Sequence, residues 1–390
     1  MTLEKENISS KELAFAVFCF IHGTVLRSGF IISVTRNDSW AMAFTGLLFM
    51  LPIVAIYAGL LRKFPGKSLV EIDDIIFGPI LGKVISALYL FFFASLAALN
   101  TRDLGNFVAV HMMPETPIAA AIAVFLLGCV YTLRKGIENL INLSTLLFII
   151  SAGALALNAI LVLKEVQPEF LKPLFRLEPQ KYVQATVSVT AVPMGEVLAF
   201  TMLTPMLGKN GKAAKPLLLG LVLSSVSMAI VLMRDIVTLG PLVSIVSLPA
   251  FESIRYVSLG DILTRLESVY GVILIILFLL KVSILLYAFV LGLTQMLSGK
   301  RRPLSNPGHE GQASGTAQSL NSKNHPPLIL ISAALVFFYS LFVFESVMEN
   351  KNWGATTAPF FSLTFEFLLP AVSLLVACLR KLGRAREVKA

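Results

Sequence analysis

Charge is scarce in this chain. Only 14% of its 390 residues are Asp, Glu, Lys or Arg, against about 25% in a typical soluble domain. Cysteine is scarcer still. Cys19, Cys129 and Cys378 each lie within an apolar run, and no pair has metal-ligand spacing. They read as small buried hydrophobes. With four histidines and no His/Cys cluster, nothing supports a metalloenzyme. No Ser-His-Asp set supports a hydrolase, and no cofactor motif is visible. The chain is expected not to be an enzyme. No stretch between apolar segments is long enough to hold a soluble domain.

What the chain has is hydrophobic sequence, 56% of its residues with a mean hydropathy of +0.81. It comes in runs of about 20 residues, the length that crosses about 30 Å of hydrocarbon. Ten spans are predicted, at 11–34, 40–61, 80–110, 117–133, 138–163, 182–208, 214–239, 262–298, 327–347 and 359–379. The third and eighth are too long for one perpendicular crossing and must tilt or project. The stretch 299–326, rich in Ser, Asn, Gly, Pro and Gln, reads as a disordered linker. The start of the chain, Met1 to Glu12, is mixed in charge, so the first span is expected to stay as a signal anchor.

Net charge is +9, but it does not point to nucleic acid. Of the 32 Lys and Arg, twenty fall on the side of the termini and seven on the opposite loops. The positive-inside rule then makes both termini cytoplasmic.

Two spans carry helix breakers and ionisable residues in their middles. The first contains His22-Gly-Thr-Val-Leu-Arg-Ser-Gly29 and the sixth Thr190-Ala-Val-Pro-Met-Gly-Glu196. Unwound backbone at membrane depth is tolerated only where it is buried in protein or lines a cavity. Breaks in the first span of each five-span half suggest a five-plus-five inverted repeat and place a binding site between them.

Several residues are candidates for that site, each with a plainer alternative. Gly23, Thr24, Ser28 and Gly29 could present backbone groups to a carboxylate, or could be small residues for close helix packing. Arg27 could clamp a carboxylate or snorkel outward. His22 is expected to be a polar packing residue. Pro193, Met194 and Gly195 form the second break. Glu196 and Lys281 lie near the middles of spans six and eight; they are expected to pair internally or to face a ligand's ammonium and carboxylate. Arg102 is expected to bridge to another helix or subunit. Asp261 and Arg265, spaced i, i+4 with the acid first, read as a helix-start salt bridge. Phe64-Pro-Gly-Lys-Ser68 is not a phosphate loop: the glycine required five residues before Gly66 is Leu61. It reads as a turn into an amphipathic segment, Leu69 to Ile76.

The landmarks Ile8-Ser-Ser-Lys-Glu-Leu13, Asp38-Ser-Trp40, Phe64-Pro-Gly-Lys-Ser-Leu-Val-Glu71, Thr101-Arg102 with Pro114-Glu-Thr-Pro117, Arg134-Lys-Gly-Ile-Glu138, Pro193-Met-Gly-Glu196, Gly260-Asp261 with Arg265, and Lys281-Val-Ser-Ile-Leu-Leu-Tyr287 occur together in order. In these the chain resembles the B subunit of bacterial spore germination receptors (GerAB type), within the amino acid–polyamine–organocation transporter superfamily. The resemblance implies an all-helical, transporter-like bundle in the inner membrane of a spore. It implies nutrient sensing, with an A subunit and a C-subunit lipoprotein as partners. It also implies a pocket lined by spans one, three, six and eight. Phe92 and Leu96, one turn apart on span three, and Leu285, one turn beyond Lys281, would then contact the side chain of a small amino acid. The alternative is ordinary core packing, and the alternative function is a proton-coupled amino acid transporter. The chain departs from many relatives in having Arg27 where they carry a small or aliphatic residue, which leaves open a ligand other than a plain apolar amino acid.

Overall fold

A computed structural model describes residues 8–25, 29–207, 213–246, 248–255, 266–298 and 326–383. The helices among them are α1 (Ser10–Val25), α2 (Gly29–Thr35), α3 (Ser39–Lys63), α4 (Leu69–Phe77), α5 (Leu81–Phe107), α6 (Ile118–Lys135), α7 (Ile137–Leu161), α8 (Pro179–Val189), α9 (Ala214–Leu239), α10 (Pro249–Arg255), α11 (Leu266–Ser298), α12 (Pro326–Phe342), α13 (Val347–Thr356), α14 (Ala358–Leu363) and α15 (Leu369–Leu379). The only β contact among the described residues is an isolated parallel bridge between Ile8 and Leu207. Eight helical segments are long and apolar enough to cross a membrane, and nine if the bent pair α12 and α13 is one broken span. Of the first expected span, α1 covers 16 residues, and α2, described from Gly29, runs on into α3. The linker 299–326 lies outside the described residues, apart from Pro326 at the start of α12.

The long spans behave as their lengths require. At 33 residues, α11 is about 50 Å long at 1.5 Å per residue, well beyond the hydrocarbon core. Burial sorts the spans. The segment Pro179–Met206 is 94% buried across its most apolar window, whereas Ile137–Lys164 is 22% buried. The sixth span therefore runs through the centre of the bundle and the fifth shows most of its surface to lipid. Helices α1, α2, α3, α11 and α14 pack against the sixth span. Phe44, Leu48, Phe91, Val124 and Ile149 point outward, as an apolar solvent demands.

The helix breakers act where the sequence puts them. Span six leaves α-geometry at Thr190, makes a π-helical turn over Thr190–Met194, and continues as a tight 3-10 helix over Gly195–Met206. Val192 is non-helical (φ −128°, ψ 111°). Pro193 has no N–H to donate and its ring excludes the preceding turn, so the ladder breaks there. Another π-helical turn, Thr364–Leu368, joins α14 to α15 in the last span. The amphipathic segment after Pro65 is α4, opened by a capping box. Ser68 accepts from the Glu71 N–H, and the Glu71 carboxylate accepts from the Ser68 N–H.

Candidate functional site

The break in span six brings Glu196 to face α11 and α1. The Glu196 Oε2 to Lys281 Nζ distance is 2.5 Å, and both side chains are almost fully buried. Lys281 also donates to Thr24 Oγ1, near the end of α1, and its ammonium lies 4.7 Å from the centre of the Phe20 ring. One cation thus ties three elements together through a carboxylate, a hydroxyl and a ring face. A buried ion pair repays its desolvation only with good geometry and further hydrogen bonds; here the hydroxyl and the ring supply them.

The remaining candidates divide. Leu96 and Glu196 line one small cavity with Asn100, Val192, Trp353 and Ser362; its volume is about 20 Å³, room for about one water molecule. Phe92 is fully buried and is taken up by an aromatic stack, 4.7 Å from Phe365 at 10°. It packs toward the last span instead of lining a cavity. Leu285, Pro193 and Met194 are buried in packed surroundings. At Gly23 a β-carbon would sit 3.4 Å from the Leu277 carbonyl, an ordinary contact, so α1 and the α11 backbone are close here without requiring glycine. Arg27, Asp261 and Arg265 lie outside the described residues.

Arg102 donates to the carbonyls of Ser340 and Leu341 at the C-terminal end of α12. Its partners are the unsatisfied acceptors of a helix end, where a cation is favoured, so the bridge to another helix goes to backbone and not to a carboxylate. Its neighbour Asp103 accepts from the side chain of Asn350 on α13. His22 is buried, lies 3.0 Å from Ser227 Oγ through Nε2 and stacks on Phe18.

A much larger cavity of about 490 Å³ lies outside the break, between α2, the end of α5 and α13. Its volume falls in the range of small-molecule sites. Phe30, Asn106, Phe107, His111, Phe278 and Asn350 are on its wall. Phe30 and Gly354 line this cavity and the small one next to Glu196, so they form the partition between vestibule and charge pair.

Two features escape the motif reading. Glu366 is fully buried on the π-helical turn of the last span. A β-carbon at Gly195 would overlap its carboxylate, so any larger residue at 195 would force the Glu366 side chain to move. Its signal was present: a lone acid within an apolar run is a functional candidate by default. Asp73, on α4, is also fully buried, and its Oδ1 accepts from Ser373 at 3.2 Å. Burial pushes its carboxyl up to about 8, with Ser373 pulling the other way.

The chain matches the family described as "Spore germination protein" over residues 7–306. It is 26% identical over 392 residues to spore germination protein KB of Bacillus subtilis (strain 168), covering 99% of this chain and 98% of that protein. It is 25% identical to the spore germination protein YfkT of the same organism, over 68% of this chain and 72% of the relative. Among solved structures it resembles Mhp1, a nucleobase-cation-symport-1 family transporter in a closed conformation. The TM-score is 0.67 at 12% identity, over 98% of this chain and 80% of that one. The Eremococcus coleocola manganese transporter gives a TM-score of 0.55 at 14% identity, over all of this chain and 87% of that one. The structural likenesses show the fold, an inverted-repeat transporter-like bundle; the sequence match over most of the chain places it in the spore germination protein family.

Proposed function

We propose that this chain is the nutrient-sensing membrane subunit of a spore germination receptor. A small amino acid or similar germinant binds at the bilayer midplane, between the broken first and sixth spans. The observation that carries the reading is the buried Glu196–Lys281 pair at the Pro193–Gly195 break. An ammonium and a carboxylate already sit there, at the spacing an amino acid's own charged groups would satisfy. A zwitterion can exchange partners with the pair and leave no charge unmatched. The vestibule beyond Phe30 is the approach, and Leu96, with the apolar wall around it, limits the ligand's side chain.

Binding shifts the bundle between conformations by no more than the ligand's differential affinity for them. The shift passes to an A subunit and, with a C-subunit lipoprotein, to the germination response at the inner spore membrane. Both termini face the cytoplasm, following the excess of Lys and Arg on that side.

The alternative is a proton-coupled secondary transporter. Ionisable residues buried in mid-span support it, because such groups serve proton relays. Binding and uptake by the purified chain in liposomes, screened across amino acids with Gly195→Leu as the control, separate the two. Saturable binding without accumulation supports the receptor. Accumulation driven by a proton gradient assigns transport instead, and no binding of any amino acid removes the midplane site.

A further inference from the structure

Among the described residues, three ionisable side chains meet where spans six, eight and ten converge, two acids and one base. Glu196 and Lys281 neutralise one another. Glu366 faces both of them electrostatically, yet neither of its side-chain oxygens has a hydrogen-bond partner. The hydroxyl of Tyr57 on α3 donates to the Glu366 backbone carbonyl at 2.6 Å, not to the carboxyl. With both acids ionised the cluster holds one excess negative charge where an unpaired ion is strongly disfavoured. Two nearby carboxylates sharing one cation settle this by keeping one carboxyl neutral.

A file of polar groups leads away from this cluster toward α4. Tyr89 on α5 is fully buried, its hydroxyl has no hydrogen-bond partner, and Tyr57 and Asp73 both lie within its electrostatic reach. Asp73 Oδ2 and Ser86 Oγ are likewise buried without partners. Ser373, seven residues beyond Glu366 on the last span, closes the row by donating to Asp73 Oδ1. Such groups are scattered singly in most proteins. Here several lie between the mid-bundle acid and α4, tied at the two ends by the Tyr57–Glu366 and Ser373–Asp73 hydrogen bonds, and each is a hydroxyl or a carboxyl, able to accept a proton and pass one on. Asp73 sits at the outer end of the file with an affinity for protons suited to loading near neutral pH.

We propose that Glu366 is a proton-binding site: in the closed bundle its carboxyl holds one proton, which enters from the α4 face by way of Asp73, Tyr89 and Tyr57. A hydronium on that face gives its proton to Asp73 and leaves water. Each hydroxyl then accepts a proton as it releases its own, and the last bond formed is O–H on Glu366. Nothing is oxidised or reduced. The site does not depend on which ligand the chain binds. Opening of the Glu196–Lys281 pair would offer the ammonium to Glu366 and send the proton back along the file.

Infrared spectra of the purified full chain in liposomes test this at neutral pH. The expected result is a protonated-carboxyl C=O band that shifts when glutamate is labelled with carbon-13, is lost in Glu366→Gln and survives in Asp73→Asn. The label makes the assignment in the wild type, so the test holds even if the variant fails to fold. Absence of any label-sensitive band of this kind would falsify the site. In heavy water the band moves as the proton exchanges; Tyr89→Phe is expected to slow that exchange, and an unchanged rate overturns the route.

Discussion

Glu196 Oε2 lies 2.5 Å from Lys281 Nζ, and the same ammonium donates to Thr24. This contact joins the first, sixth and eighth spans at the depth where the sixth is broken. Removing one partner of a buried pair leaves the other charged and alone, at a cost of about 3–5 kcal/mol. Glu196→Gln and Lys281→Met are each expected to lower the thermal unfolding midpoint sharply. The double variant is expected to recover most of that loss, since it removes both charges. Thermal unfolding in detergent checks this; a double variant no better than the worse single would show that the two do not act as a pair.

A β-carbon at Gly195 would overlap the Glu366 carboxylate. Gly195→Ala is expected to destabilise by about 1–3 kcal/mol, the usual cost of overpacking. Glu366→Ala should relieve part of it. A double-mutant cycle on unfolding midpoints measures the coupling, and strict additivity would mean the two residues are not in contact.

Asp73 gives a pH dependence with a definite sign. Its carboxyl is raised from the ordinary 3.8 to about 8 by burial, so the folded chain holds this proton more tightly than the unfolded chain. The stability linked to Asp73 is fully present below pH 4 and declines as pH rises towards 8. Asp73→Asn is expected to flatten that slope. Unfolding midpoints between pH 5 and 9 supply the comparison, and identical slopes in the two proteins would contradict the assignment.

Asp38 closes the loop between α7 and α8. Its two oxygens take the Phe175 N–H at 3.0 Å, and one of them also accepts from the Tyr182 hydroxyl at 2.7 Å. Asp38→Ala strips partners from both donors, a loss of about 1–3 kcal/mol. Limited proteolysis should then cut residues 165–178 faster, with little change elsewhere.

Arg102 caps the end of α12 through two carbonyls. Arg102→Ala is expected to weaken that end, and Arg102→Lys to restore only part of it because one ammonium replaces a planar fork. Amide exchange of residues 338–344 reads both effects.

Helix breakers and lone charges in apolar runs are strong sequence signals, and what rests on them is visible in the fold. Pro193 and Gly195 mark the break, Glu196 and Lys281 meet, and Ser68 with Glu71 opens α4 as a capping box. Weaker signals misled or failed. Phe92 and Leu96 share a helix face, but only Leu96 lines a cavity, because Phe365 from a distant span claims the Phe92 ring. No local pattern reveals a tertiary partner some 270 residues away. Arg234 and Asp235, sequence neighbours, form a buried pair at 2.5 Å, completed by Asn158 and Ser253; side-chain direction along a helix argues against such a pair until the surrounding acceptors are known. Glu366 was legible as an anomaly, but its meaning came only with Gly195 and Glu196 beside it.

The cavity next to Glu196 has room for little more than a water molecule, and that smallness sets a threshold. On the proposed reading, the resting chain would compete with its own ligand, because Lys281 and Glu196 are paired with each other. An amino acid would gain entry only in the fraction of time the pair stands open, and its apparent affinity would be weakened by that fraction. Tightening the pair would make the chain deaf to traces of ligand without altering a single contact in the occupied state. Sensitivity could thus be tuned by the strength of one internal bond, separately from the choice of ligand.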